Sequence, residues 1–114
     1  MAADDQIIAI GKVLQDSSKS LAERNRALFT LRNLGGEVAI GEIAKTFSDP
    51  NVLLKHELAY VLGQMQDVKA IPFLINVLKD ESQAPMVRHE AGEALGAIGD
   101  ASVIDILELY SKDK

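Results

Sequence analysis

Apolar residues recur along the chain at the three- and four-residue spacing of amphipathic helices, and polar breaks divide them into seven stretches. Ile7, Ile8, Ile10, Val13 and Leu14 form the first stripe, with Asp4 or Asp5 placed to cap it. A polar turn from Gln15 to Ser20 leads to a second helix over about Leu21–Leu34, which Gly35-Gly36 stops because glycine enters left-handed conformations cheaply. A third helix is predicted over about Val38–Phe47. The turn Ser48-Asp49-Pro50-Asn51 follows, where Asp and Asn bond back to the backbone and Pro fixes φ. The fourth helix covers about Val52–Met65 and breaks at Gln66-Asp67. A fifth runs over about Ala70–Lys79, with Pro72 in its first turn, where the missing N–H does no harm. Asp80 to Ala84 is a loop, Pro85–Ile98 a sixth helix closed by Gly99-Asp100, and Ser102–Tyr110 a seventh. No stretch alternates as a strand does, so the fold class is all-α.

The pattern repeats. Lys55-His56-Glu57 and Arg88-His89-Glu90 each lie early in a helix, and each precedes a Leu-Gly pair, Leu62-Gly63 or Leu95-Gly96. His56 and His89 are the only histidines and stand 33 positions apart. At that offset Leu62 matches Leu95, Asp67 matches Asp100, Ile71 matches Ile104 and Leu74 matches Leu107. An earlier copy puts Leu31 in the place of Leu62, and Asn25 and Arg26 where His56 and Glu57 stand. The expected architecture is a single domain over 1–114, a stack of three helical hairpins plus a terminal helix, in which neighbouring pairs bury one continuous core. Gly63 and Gly96 each cost about 1 kcal/mol against Ala inside a helix. Close helix approach and room for a ligand are the two readings of that repeated cost.

Composition narrows the function classes. With no cysteine, a disulfide framework, a thiolate metal site and a cysteine nucleophile are excluded. A net charge of −5 and the lack of a basic footprint argue against nucleic acid as a partner. No apolar run approaches a membrane span, and the acidic amino terminus does not read as a signal peptide, so a cytoplasmic protein is expected. There is no phosphate-cradling glycine loop and no serine nucleophile elbow.

The His-Glu pairs carry the candidate chemistry. Equivalent helices of stacked repeats lie side by side at about 8–10 Å. His56 and His89 are therefore expected to converge, with Glu57 or Glu90 beside them. Two imidazoles and a carboxylate suit non-haem iron, and also zinc or manganese. Tyr60 and Glu93, four residues after the histidines, could hold an imidazole from the next shell. Met86, three residues before His89, could line a pocket; for Met86 and Tyr60 core packing is the alternative. A metal-free repeat adaptor that binds protein on its concave face stays open at this point.

The stretches Leu54-Lys55-His56-Glu57-Leu58-Ala59-Tyr60 and Met86 through Asp100 resemble the amino-terminal half of the deoxyhypusine hydroxylase family, built of HEAT-like helical repeats. Phycobilin lyases share the helical repeat without the His-Glu pairing, so a lyase-like chaperone is the weaker match. The resemblance implies a di-iron monooxygenase that hydroxylates the deoxyhypusine side chain of a translation initiation factor. It implies that His56, His89 and Glu90 are ligands of one iron, with Glu57 also counted among the metal and catalytic carboxylates and suited to the substrate amine. Gly63, Met86 and Glu93 become substrate-site positions by the same route. That family carries four His-Glu motifs and this chain two. Lys112-Asp113 matches Lys79-Asp80, the loop before a His-Glu helix, and the predicted seventh helix is apolar around much of its circumference. The expectation is therefore half a site, inactive or nearly so alone, completed by a second half or a second copy.

Overall fold

A computed structural model of the chain describes residues 3–99, and the seventh helix expected over 102–110, like Asp100, lies outside them. The helices are α1 (Asp4–Gln15), α2 (Leu21–Leu34), α3 (Gly36–Lys45), α4 (Val52–Met65), α5 (Ile71–Lys79) and α6 (Pro85–Ile98). Single 3₁₀ turns, Thr46–Ser48 and Val68–Ala70, lead out of α3 and into α5. The limits of α4 and α6 coincide with those read from the apolar spacing.

Three boundaries differ, each for a local reason. The cap of α1 is Ala3, not Asp4 or Asp5; its N–H donates to Gln6 Oε1 at 3.0 Å. The two aspartates lie in the first turn, where carboxylates favour the positive end of the helix dipole. Helix α3 begins at Gly36, because Gly35 (φ +68°) and Gly36 (φ +89°) reverse the chain without a linker. It ends at Lys45, where the backbone tightens into the 3₁₀ turn as Thr46 Oγ1 donates to Glu42 O at 3.2 Å.

Helices α2, α4 and α6 pack side by side as one layer. Helix α1 lies against both α2 and α3, and α5 against α6, forming the second layer. The most extensive contact is between α4 and α6, the two helices that carry the His-Glu pairs. Leu31, Leu62 and Leu95, the residues that define the repeat, are all fully buried. The core between the layers also includes Leu14, Leu28, Ile40, Ile43, Leu58, Val61, Leu74 and Val87, and Phe47 is its one aromatic member among the described residues. Gly63 sets the spacing of the key pair: a Cβ there would stand 3.0 Å from both Cα and Cβ of Ala94. The close-approach reading thus accounts for Gly63, whereas Gly96 meets no described atom within 4 Å.

A second repeat series holds the turns. Asp16 Oδ1 accepts from the backbone N–H of Ser18 (2.9 Å), Asp49 Oδ1 from that of Asn51 (2.8 Å), and Asp80 Oδ1 from that of Ser82 (3.0 Å). Basic residues early in the next helices complete the pattern. Arg24 Nε donates to Leu14 O at 2.8 Å and Arg88 Nε to Leu78 O at 2.9 Å, each closing the preceding helix end. The Arg24 guanidinium, itself buried, also pairs with the partly buried Asp49, tying the first repeat to the second. Burial raises the Asp49 pKa, but the Arg24 hydrogen bond, the Asn51 N–H and the Arg24 and Lys55 charges outweigh it, so the carboxyl lies below its ordinary value.

Candidate metal centre

The candidate ligands sit where α4 and α6 run side by side. Asn51 caps α4, its side-chain oxygen accepting from Leu54 N–H at 3.0 Å, and this fixes where the helix begins. Pro85 opens α6 within its first turn. Leu54, Leu58, Ala59 and Leu62 turn one face of α4 inward, as Val87, Ala91, Ala94 and Leu95 do for α6. That leaves His56 and Glu90 partly exposed at the seam.

His56 Nε2 stands 3.0 Å from Glu90 Oε1. The pairing is diagonal, joining the histidine of one repeat to the glutamate of the next. Two donors bound to one ion by bonds of about 2.1 Å, meeting near a right angle, are themselves about 3 Å apart. The pair therefore fits adjacent coordination positions of a first-row metal, and its N and O chemistry fits iron, zinc or manganese. The Glu90 carboxylate is the more sheltered partner, at 16% exposure.

His89 behaves differently from the expected convergence. Its Nε2 lies 3.4 Å from Glu93 Oε1, one turn along the same helix, and both side chains are more than half exposed. Among the described residues no three His, Asp or Glu side chains are gathered as a metal site. The physical reason is competition: a carboxylate four residues on is always within reach of a helical histidine. Glu93 is thus the carboxylate that lies nearest the His89 imidazole, at 3.4 Å. Glu57, the next residue round α4 from His56, is half-buried and forms no ion pair among the described residues. Tyr60 and Met86 are 48% and 42% exposed, which rules out core packing for both. Gly63 is buried against Ala94, two turns from His56.

The arrangement supplies an imidazole–carboxylate pair across two helices, a second imidazole on the neighbouring helix, and Glu57, the residue after His56, with no ion-pair partner among the described residues. Residue types for a three-donor set are present on α4 and α6, but only His56 and Glu90 meet across the seam, His89 pairing with Glu93 on its own helix. The apolar spacing left Glu57 or Glu90 open beside the histidines and the resemblance implied Glu90; the stagger of α4 against α6 decides that Glu90 is the carboxylate His56 meets.

Residues 40–114, more than half the chain, match the family model described as HEAT repeats. The chain is 59% identical over 113 residues to a deoxyhypusine hydroxylase of Bos taurus, covering 99% of this chain and 37% of that protein. It is 60% identical to one of Drosophila pseudoobscura pseudoobscura, with the same coverage. A solved structure of human deoxyhypusine hydroxylase in complex with glycerol superposes with a TM-score of 0.94 at 60% identity, over 96% of this chain and 38% of that one. The chain thus spans well under half the length of these relatives. It is a chain of the HEAT-repeat family, and over nearly its whole length the relatives it matches are deoxyhypusine hydroxylases.

Proposed function

We propose that this chain provides one repeat-built half of a deoxyhypusine hydroxylase site. The observation that carries the reading is the 3.0 Å His56–Glu90 pair, in a chain about 59% identical to enzymes of that name. His56, Glu90 and His89 would hold one iron, His89 leaving Glu93 to do so. Iron, when bound, supplies the O₂ chemistry of the hydroxylation. Glu57 offers a carboxylate for the amine of the substrate side chain, and an exposed Met86 offers an apolar contact for its methylene stem. Gly63 acts indirectly, by holding α4 against α6. The substrate is the deoxyhypusine-bearing translation initiation factor, encountered in the cytoplasm.

Two His-Glu motifs supply ligands for one iron, so a second set comes from a partner half or from a second copy related by a twofold axis. The metal-free adaptor is the second reading; the exposed Tyr60 and Phe29 on the same layer suit protein contact. An iron-loaded hydroxylation assay on the deoxyhypusine-bearing factor separates the two. The chain alone is expected to turn over little or nothing. A partner carrying the other two His-Glu motifs is expected to restore activity, and His56→Ala to abolish it. Undiminished activity of His56→Ala in that mixture would contradict the proposal.

A further inference from the structure

Helices α2, α4 and α6 end at equivalent places, Gly35, Gln66 and Gly99, each four residues beyond the repeat leucine Leu31, Leu62 or Leu95. All three turn the chain at positive φ, 68°, 55° and 72°. Glycine enters that region cheaply, whereas a side chain crowds the following carbonyl. Gln66 is the one residue other than glycine with positive φ among the described residues. The strained exception therefore ends α4, on the pair of helices that carries His56 and Glu90.

The side chain supplies what a glycine lacks. Gln66 Nε2 donates one N–H to Gly63 O at 2.9 Å, on its own helix, and the other to Ala97 O at 2.8 Å, on α6. Ala97 O is one of the last four carbonyls of α6, which have no partner within the helix. Among the described residues two polar side-chain contacts join α4 to α6: this one at one end and His56–Glu90 at the other. Between them Gly63 lies against Ala94. Apolar contact is not directional, and residues this small hold the helix axes close while raising little ridge against sliding. A slide of one residue is about 1.5 Å, enough to carry a 3.0 Å contact out of hydrogen-bond range.

We infer that Gln66 is a positioning residue: its amide locks the stagger of α4 against α6 and so holds His56 opposite Glu90. It lies about 15 Å along α4 from His56, so it acts through the helix pair and not by contact. Capping alone does not explain the choice, because Gly35 and Gly99 close their helices without a side chain. The seam between α2 and α4, where Asn25 and Arg26 replace the His-Glu pair, has glycine at its first helix end. The consequence for metal rests on the reading of the seam as an iron site; the effect on the His56–Glu90 pair does not.

The test reads the pair both without and with metal. The chain has two histidines, so the ring signals of His56 in ¹⁵N–¹H spectra at one fixed pH are assigned with His56→Ala. Glu90→Ala marks their position when the pair is broken. Gln66→Gly relieves the left-handed backbone and should keep a urea midpoint close to that of the unaltered chain, yet move the His56 signals toward the Glu90→Ala position. Gln66→Asn, which also tolerates that backbone but is one methylene too short to reach Ala97 O, should do the same. In both variants Fe(II) affinity, read anaerobically by competition with a coloured chelator, should fall by on the order of tenfold. His56 signals unmoved in the folded Gly and Asn variants overturn the inference, as does undiminished Fe(II) affinity in both. If the unaltered chain takes up no Fe(II), the iron-site reading fails, and the His56 signals of the metal-free chain still decide for or against Gln66.

Discussion

Gly63 and Gly96 occupy the same place in successive repeats, yet only Gly63 has a described neighbour that bars a side chain. Its missing Cβ would press on the backbone Cα of Ala94, an atom that cannot rotate aside. Gly63→Ala gains about 1 kcal/mol of helix propensity and loses about 1–3 kcal/mol to overpacking. It should therefore lower the urea midpoint of the chain, while Gly96→Ala, with no described atom in the way, should leave it unchanged or raise it. Gln66 teaches a related lesson. It ends α4 at φ 55°, the left-handed position that Gly99 fills at the end of α6. Its Nε2 donates to Gly63 O at 2.9 Å and Ala97 O at 2.8 Å, bonds that glycine cannot make. The sequence marks a break at Gln66-Asp67, but periodicity carries no information about a side chain that bridges two helix ends.

Helix by helix, the apolar spacing was enough to place α4 and α6, because long stripes bounded by Asn51 or Pro85 leave little freedom of register. Shorter elements such as α3 escaped it, since paired positive-φ glycines and a 3₁₀ exit depend on backbone geometry rather than on hydropathy. The bridge from Arg24 to Asp49 was equally hidden: nothing in the residue types says that a guanidinium will cross to the next repeat. Removing the buried Arg24 guanidinium leaves the partly buried Asp49 charge and the Leu14 carbonyl without their donor, so Arg24→Ala should cost about 2 kcal/mol in chemical unfolding. The sign of the pH dependence follows from the lowered Asp49 pKa. The stabilisation is complete above the unfolded aspartate pKa, near 4, and is lost as pH falls through the lower folded value. Urea midpoints measured from pH 7 down to 3 should fall at the acid end, and less steeply in Asp49→Asn, which is already weakened at neutral pH.

At the scale of the molecule, the described residues form a slab two helices thick, about 40 × 28 × 16 Å, with the His-Glu seam on the layer of α2, α4 and α6. The all-helical repeat was legible because two registers, leucine and His-Glu, agree on one offset. The candidate site was legible only as a set of residues. Which imidazole meets which carboxylate depends on interhelical stagger and on local competition from Glu93, and the structure resolves this as a crossed His56–Glu90 pair with His89 held apart. The central claim is that this seam is a place for iron. Its most direct test is the iron content of the 114-residue chain, loaded anaerobically with Fe(II) and freed of excess, beside His56→Ala and Glu90→Ala. One iron per chain, lost in both variants while their helix content is retained, is the predicted result. Iron content unchanged by either substitution, or none bound by the unaltered chain, would contradict the claim.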